Sequence, residues 1–358
     1  MNTKTILIFV LAILLLASCA SPTPVTIIKT VEVEKLITPV PEPVTNLTKI
    51  QIPLGWLNND EFVALQVAQA KGFYTSQKLD VTLISGGGST GIDPIFAING
   101  IDDSLRFGVP AALSLVLKAY AQGVDVVAIA AISQYEPGGF IGLLKDGKRA
   151  TNPCDFKGRV VAMQTEAQWY VDALGAVCDK GPLVSGTDFT VIPAGWTPDC
   201  LLSGQCDFYC GWSTNQPFML EQQGLKEGVD YEMFLASDYL PFYYSDVIVT
   251  TQAFIEAHPK MVKAFVAASM QGLQYTLDNP EEAITITSAI PGVTQEHAAW
   301  RIPAQNKIAT SEDTQLHGVG YINLEKVQEM IDFLFKYGQI PASFKAEEVI
   351  NNSFLPSP

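Results

Sequence analysis

Tyr239-Leu240-Pro241-Phe242-Tyr243-Tyr244-Ser245-Asp246-Val247-Ile248-Val249-Thr250-Thr251, continued by Gln252 to Asn279, is the stretch whose reading decides the fold. Its first part predicts an aromatic-rich loop running into a short apolar strand, Val247 to Val249. Its second part predicts a helix. Val262, Phe265, Val266, Ser269, Met270, Leu273 and Leu277 recur at steps of three and four, which is one face of a helix. Asn279-Pro280-Glu281-Glu282 stops that helix and starts another, because proline fits a first helical turn and acids favour a helix N-terminus.

Outward from there, strands and helices alternate. Lys49 to Trp56 predicts a strand and Leu57-Asn58-Asn59-Asp60 a polar turn. Glu61 to Lys71 follows as a helix closed by Gly72, and Leu79 to Ile84 as a second strand. Ser85-Gly86-Gly87-Gly88-Ser89-Thr90-Gly91 is a loop entering another helix. Leu105 to Val109 predicts a third strand, Pro110 to Gly123 a helix, and Val124 to Ile132 a buried strand. Phe140 to Leu144 carries the sheet towards a second half. There, strands are expected at Arg159–Ala162, 189–192 and 206–212, and helices at 167–178 and 215–223. The chain beyond Asn279 reads as helical to about Phe344, with Val327, Met330, Ile331, Leu334 and Phe335 on one face. Such alternation is the pattern of an α/β protein, whose ligand-facing loops lie at the carboxyl ends of the strands.

The 358 residues suffice for two domains around separate cores. A net charge of −15 argues against a nucleic-acid partner, since phosphate binding needs clustered Lys and Arg. The acidity reads as solubility outside the cytoplasm. Lys4 and the apolar run Ile6 to Leu16 form a signal-peptide pattern, too short to span a bilayer comfortably. Leu16-Ala17-Ser18-Cys19 resembles the bacterial lipobox. That resemblance implies cleavage before Cys19, lipid on Cys19, and a soluble body anchored on the outer face of the cell membrane. The Pro-, Thr- and Val-rich run that follows denies itself a helix and reads as a spacer. The expected divisions are 1–18 signal peptide, 19–47 tether, 48–145 first lobe, 146–240 second lobe, 241–345 return to the first lobe, and 346–358 tail. Of the six cysteines, five remain beyond Cys19. Cys154 with Cys178 is one expected bridge, and Cys200 with Cys206 or Cys210 another, leaving one thiol over.

Several pieces, taken in order, carry a family resemblance. They are Gly55-Trp56, Ala70-Lys71-Gly72-Phe73-Tyr74, Phe107-Gly108-Val109, Gly123-Val124-Asp125-Val126-Val127-Ala128, Asp155-Phe156-Lys157-Gly158-Arg159-Val160 and Tyr244-Ser245-Asp246-Val247-Ile248-Val249-Thr250. Phe265-Val266-Ala267-Ala268-Ser269 and Asn279-Pro280-Glu281-Glu282-Ala283 complete the set. Together the chain, over about 49–340, resembles the solute-binding proteins of ABC importers related to the fungal thiamine-pyrimidine synthase. The resemblance implies the two-lobed periplasmic-binding-protein fold of type II, α/β, with mixed sheets, helices on both faces and a ligand cleft between the lobes. It also implies closure on a small molecule and docking on a membrane permease.

The candidate site follows from strand ends. Trp56 ends the first strand, where a flat indole suits stacking on a planar ring; core packing is the competing reading. Asn58, Asn59 and Asp60 offer donors and acceptors to ring heteroatoms, against plain turn chemistry. Glu136, beside Tyr135, closes the strand ending at Ile132, and Gln164 and Trp169, with Tyr170, follow the first strand of the second half. Trp196 and Trp212 are further aromatics near strand ends, while Tyr243, Tyr244 and Asp246 lie in the return loop. The Gly86-Gly87-Gly88-Ser89-Thr90 loop offers backbone N–H groups and a helix N-terminus to an anion or carbonyl, but it lacks the Gly-Lys-Ser/Thr of a Walker loop, and a tight strand-to-helix turn is the competing reading. No metal site is expected, because Cys206-x-x-x-Cys210 is far in sequence from His258, His297 and His317. Several aromatics with few basic residues at strand ends favour a neutral, planar heterocycle. Within the family that the chain resembles, two ligand classes fit that description, riboflavin first, because the aromatic supply exceeds what one pyrimidine ring needs, and a thiamine pyrimidine precursor second. No cofactor is expected. The rival reading, a pyridoxal-phosphate-dependent synthase, needs a Schiff-base lysine and a site histidine, and no histidine falls in these loops.

Overall fold

Alternate inward residues Ile50 and Ile52 make β1 (Thr48–Pro53) the buried centre of the first half. β1 pairs in parallel with β2 (Leu79–Ile84), Thr48 opposite Leu79 and Pro53 opposite Ile84. β3 (Val127–Ala131) pairs antiparallel with a strand late in the chain, β9 (Val247–Thr250). Single bridges from Leu54 to Val109 and from Gly108 to Val249 join these two ladders. The strand expected at Leu105–Val109 is thus reduced to two bridging residues between β1 and β9. The structure is a computed structural model and describes residues 46–87, 90–100, 102–144, 151–164 and 168–357. The signal segment, Cys19, nearly all of the tether, and Gly88 and Ser89 of the glycine loop lie outside those residues.

The second half is one sheet, in the order β6-β5-β7-β4-β8. Its strands are β4 (Gly138–Leu143), β5 (Val160–Met163), β6 (Thr190–Pro193), β7 (Phe208–Trp212) and β8 (Tyr231–Leu235). β5 runs parallel to β6 and β7, whereas β4 is antiparallel to β7 and β8. Phe140, Phe156, Phe208 and Phe234 fill one core of this half. β8 escaped the sequence reading. It is an edge strand whose burial does not alternate, so it carries no clean period-two signal.

The deciding stretch forms the expected strand and return, with one break. Its helix divides into Gln252–Ala257 and Pro259–Asp278, because the residue before a proline is pushed out of the helical region and His258 sits at φ −134°, ψ 47°. Val262, Phe265, Val266, Ser269, Met270 and Leu273 are buried as the periodicity requires. This helix lies close on the helix Val63–Ala70. A Cβ at Gly272 would stand 2.3 Å from the Ala64 carbonyl oxygen and 2.6 Å from Ala68 Cβ. Gly272→Ala is therefore expected to destabilise the fold by about 1–3 kcal/mol, seen as a lower urea midpoint at unchanged slope.

Residues 346–357, expected as a tail, are built into the first half instead. Val349 is fully buried, the Ala128 N–H donates to the Val349 carbonyl, and the Asn351 N–H donates to the Ala128 carbonyl. The apolar residues Val349, Ile350 and Phe354 explain the difference, since a free tail would leave them in water. Disulfides join Cys154 to Cys178 and Cys200 to Cys206, and Cys210 is a buried thiol. Among the described residues no helix is long and apolar enough to cross a membrane.

Candidate functional site

The two sheets turn the same kind of edge towards each other. In the first half, Trp56 follows the carboxyl end of β1, Gly86 and Gly87 that of β2, and Ile132 to Glu136 that of β3. β9 is antiparallel to β3, so Asp246 at its start reaches the same edge; its carbonyl accepts from the Ile132 N–H. In the second half, Gln164 follows β5, Trp196 lies three residues past β6, Trp212 ends β7, and Glu136 precedes β4. Carboxyl edges of open sheets gather ligand-binding loops, because the strands stop there and the loops are free to differ.

Aromatic rings bridge the two edges. The ring centroids of Trp56 and Trp196 stand 4.7 Å apart at 54°, and Trp196 lies 5.7 Å from Trp212. Trp56 is held from behind: a Cβ at Gly87 would come within 2.9 Å of its ring, and Gly87 has φ +85°. Only glycine fits both demands. Gln216 fixes the other two indoles through the backbone, its Oε1 accepting from the Trp212 N–H and its Nε2 donating to the Trp196 carbonyl. Trp196 is nonetheless 51% exposed, a large apolar ring left open to solvent. Trp169 is used elsewhere at the same junction. It packs on Phe242, with the Lys118 ammonium 4.3 Å above its ring.

Beside the indoles lies a group of acids. Trp212 pairs with Gly138, and a Cβ at Gly138 would stand 3.3 Å from both Glu136 Oε1 and the Tyr170 hydroxyl. Burial, with Glu61 adding repulsion, pushes the Glu136 carboxyl up to about 7, although the Gly138 N–H opposes this. Burial also raises Asp246 well above the usual carboxylate range, helped by Glu61 and Glu136 and opposed by Arg301. Asp246 Oδ1 receives no donor. Arg301, on the helix Gln295–Ala309, donates from Nη1 to Asp60 Oδ1 at 3.3 Å and from Nη2 to Glu61 Oε2 at 3.0 Å. His297 Nδ1 lies 2.5 Å from Asp60 Oδ2.

The remaining candidates have visible structural work. Asn58 Oδ1 accepts from Gln66 Nε2, and Asn59 Oδ1 caps the short helical turn Asp60–Phe62 by accepting from the Glu61 N–H. Asp60 is buried and held by Arg301 and His297. Gln164 Nε2 donates to the Gly195 carbonyl, at the base of the Trp196 loop. Tyr243 donates to Glu329. Tyr244 is fully buried in the first half, and its hydroxyl accepts from the Asn323 N–H. Its left-handed backbone, φ +57°, turns the ring into the core. The structure therefore brings together Trp56, Trp212, Glu136 and Asp246, and commits Asn58, Asn59, Asp60, Tyr243 and Tyr244 to other partners. Glu61 and Arg301 belong to the cluster and were not read from the sequence. They lie 240 residues apart, and no spacing links them. Two surface depressions, of about 510 and 520 Å³, lie along β1 away from the indoles, one lined by Arg106, Phe254 and His258, the other by Pro53, Ile92 and Phe96.

The sequence profile described as NMT1/THI5 like matches residues 59–283. The chain belongs to the NMT1/THI5-like family. Within and around this family it is similar to the riboflavin-binding protein RibY of Chloroflexus aurantiacus, 24% identical over 372 residues that cover 99% of each chain. It is 25% identical to the formylaminopyrimidine-binding protein of Halalkalibacterium halodurans, over 80% of this chain and 78% of that one. It is also 23% identical to a Legionella pneumophila protein named 4-amino-5-hydroxymethyl-2-methylpyrimidine phosphate synthase, over 86% and 93%. Among solved structures, the periplasmic aliphatic sulphonate binding protein SsuA of Escherichia coli superposes with a TM-score of 0.63 at 14% identity, covering 84% of this chain and 97% of that one. The NMT1/THI5-like chain thus has the periplasmic-binding-protein fold.

Proposed function

We propose that this chain is the solute receptor of an ABC-type importer, and that its solute is a flat, uncharged heterocycle, riboflavin in the first instance. In this reading Cys19 carries a lipid anchor, residues 48–145 with 241–357 form one lobe and 146–240 the other, and the closed form docks on a permease. The observation that carries the proposal is the bridge of indoles, Trp56 on one sheet edge and Trp196 with Trp212 on the other. A ring taken between them gains stacking contacts from both halves, so binding favours the closed arrangement. The acids beside the indoles disfavour anions and suit hydrogen-bond donors. The name of the relative matched end to end agrees with riboflavin.

A second reading is a formylaminopyrimidine-type solute, favoured by the same carboxyls, which suit an exocyclic amino group, and by the name of another relative. The enzymatic reading finds less support. His297 is paired with Asp60, and Lys118, above the Trp169 ring, donates to Gln339. Titration with riboflavin is expected to quench the tryptophan emission to saturation. Unchanged emission, alongside calorimetric binding of a formylaminopyrimidine, would replace the first reading by the second.

A further inference from the structure

Asp246 is 3% exposed, and no donor reaches its Oδ1. Burial, in the company of Glu61 and Glu136, holds its carboxyl well above the usual carboxylate range. A buried carboxylate oxygen that no donor reaches is better satisfied by a proton. Glu61 has the guanidinium at 3.0 Å, whereas Asp246 Oδ1 has nothing, so the proton belongs on Asp246. The third carboxyl, Glu136, comes from the loop before β4 and lies beside the Gly138 N–H and the Tyr170 hydroxyl.

Two further polar groups in the same place lack partners. Arg301 is 5% exposed and its Nε makes no hydrogen bond; the Tyr170 hydroxyl, beside Glu136, is buried and makes none. Orphaned buried polar atoms are rare, and several gathered at one junction point to a missing partner. Among the described residues, the charged or titratable groups facing this junction are Asp60 and Glu61 after β1, His297 and Arg301 on the helix Gln295–Ala309, Glu136, Tyr170, Cys210 and Asp246.

Resting on the solute-receptor reading, we infer that Asp246 and Glu136, beside the Arg301–Glu61 pair, form one subsite for the solute: Asp246 holds a proton, and Glu136 accepts an N–H or O–H of the solute. The chemistry recognised is a ring carrying a hydrogen-bond donor on its edge, such as an imide N–H or an amino group. The sign of the pH effect follows. Glu136 accepts most strongly when ionised, and it sits at about 7, so a solute donor binds best above that pH and expels a proton when it binds below it. Affinity is expected to fall on acidification from pH 8 to 5.5, approaching about tenfold per unit at the acid end.

The test has two arms. Riboflavin and a formylaminopyrimidine are titrated into the full chain at pH 5.5 to 8. Wild type is expected to lose affinity on acidification and Glu136→Gln to be flat, because the amide still accepts but does not titrate. A flat wild-type profile, or a slope that survives in Glu136→Gln, overturns the inference. The second arm needs no solute. Infrared spectra of the free protein at pH 8 are expected to show the carbonyl stretch of one buried protonated carboxyl, absent from Asp246→Asn. A second such band should grow towards pH 6 and be absent from Glu136→Gln. If neither solute binds at any pH, the solute reading fails while the infrared bands still decide the proton; with no band at pH 8, the inference fails even where riboflavin binds.

Discussion

Trp56→Ala is expected to weaken riboflavin binding about 30- to 1000-fold, equivalent to about 2–4 kcal/mol. The ring is partly exposed, so most of this loss belongs to the solute contact rather than to folding. Its position is set by Gly87 behind it and the end of β1 beneath, while the face that meets Trp196 at 4.7 Å is the one the solute takes over when the two indoles part. A ring that does not need to be ordered on binding gives its stacking energy with little entropic loss. Trp56→Phe should keep a large part of the affinity. Calorimetry at pH 8 measures both, and an alanine variant within threefold of wild type would remove Trp56 from the site.

Arg301→Met is expected to produce the largest loss of stability in the molecule, about 3–5 kcal/mol in urea unfolding. The methionine fills much of the same volume, but it leaves Asp60 without one of its two partners and Glu61 without its cation. Both acids belong to the turn that follows the Trp56 loop, so the loss should also loosen that loop. Arg301→Lys is expected to recover only part of the deficit, because one ammonium does not match the two-pronged geometry of 3.3 and 3.0 Å. A methionine variant as stable as the parent would show that the guanidinium contributes nothing net.

The regular elements were legible because their signals are local. The face Val262–Phe265–Val266–Ser269–Leu273 and the strand β2 carry their periods in a few residues, β9 is a short apolar run, and the structure buries them accordingly. The break at His258 was equally local, written in Pro259, and was passed over because the apolar face continues across it. Half of the site was legible for the same reason, since Trp56, Trp212, Glu136 and Asp246 all stand at strand ends. The rest depends on pairings between distant residues. Arg301 meets Asp60 and Glu61 through the packing of one helix on another, and nothing near Arg301 in the chain marks it. Tyr244 shows the opposite failure. Residue type and loop position both suggested a binding wall, but the left-handed backbone at that one residue sends the phenol to Asn323.

Ala128 bonds across to Val349 and Asn351, so a central strand of the first half acquires its neighbour from residues made more than half a chain later. A polypeptide emerging from its N-terminus must present β3 with an open flank throughout that interval, and an open flank is a template for wrong pairing. Assembly of the half that begins first is thus the last to finish, which makes the order of synthesis and the order of completion run in opposite directions.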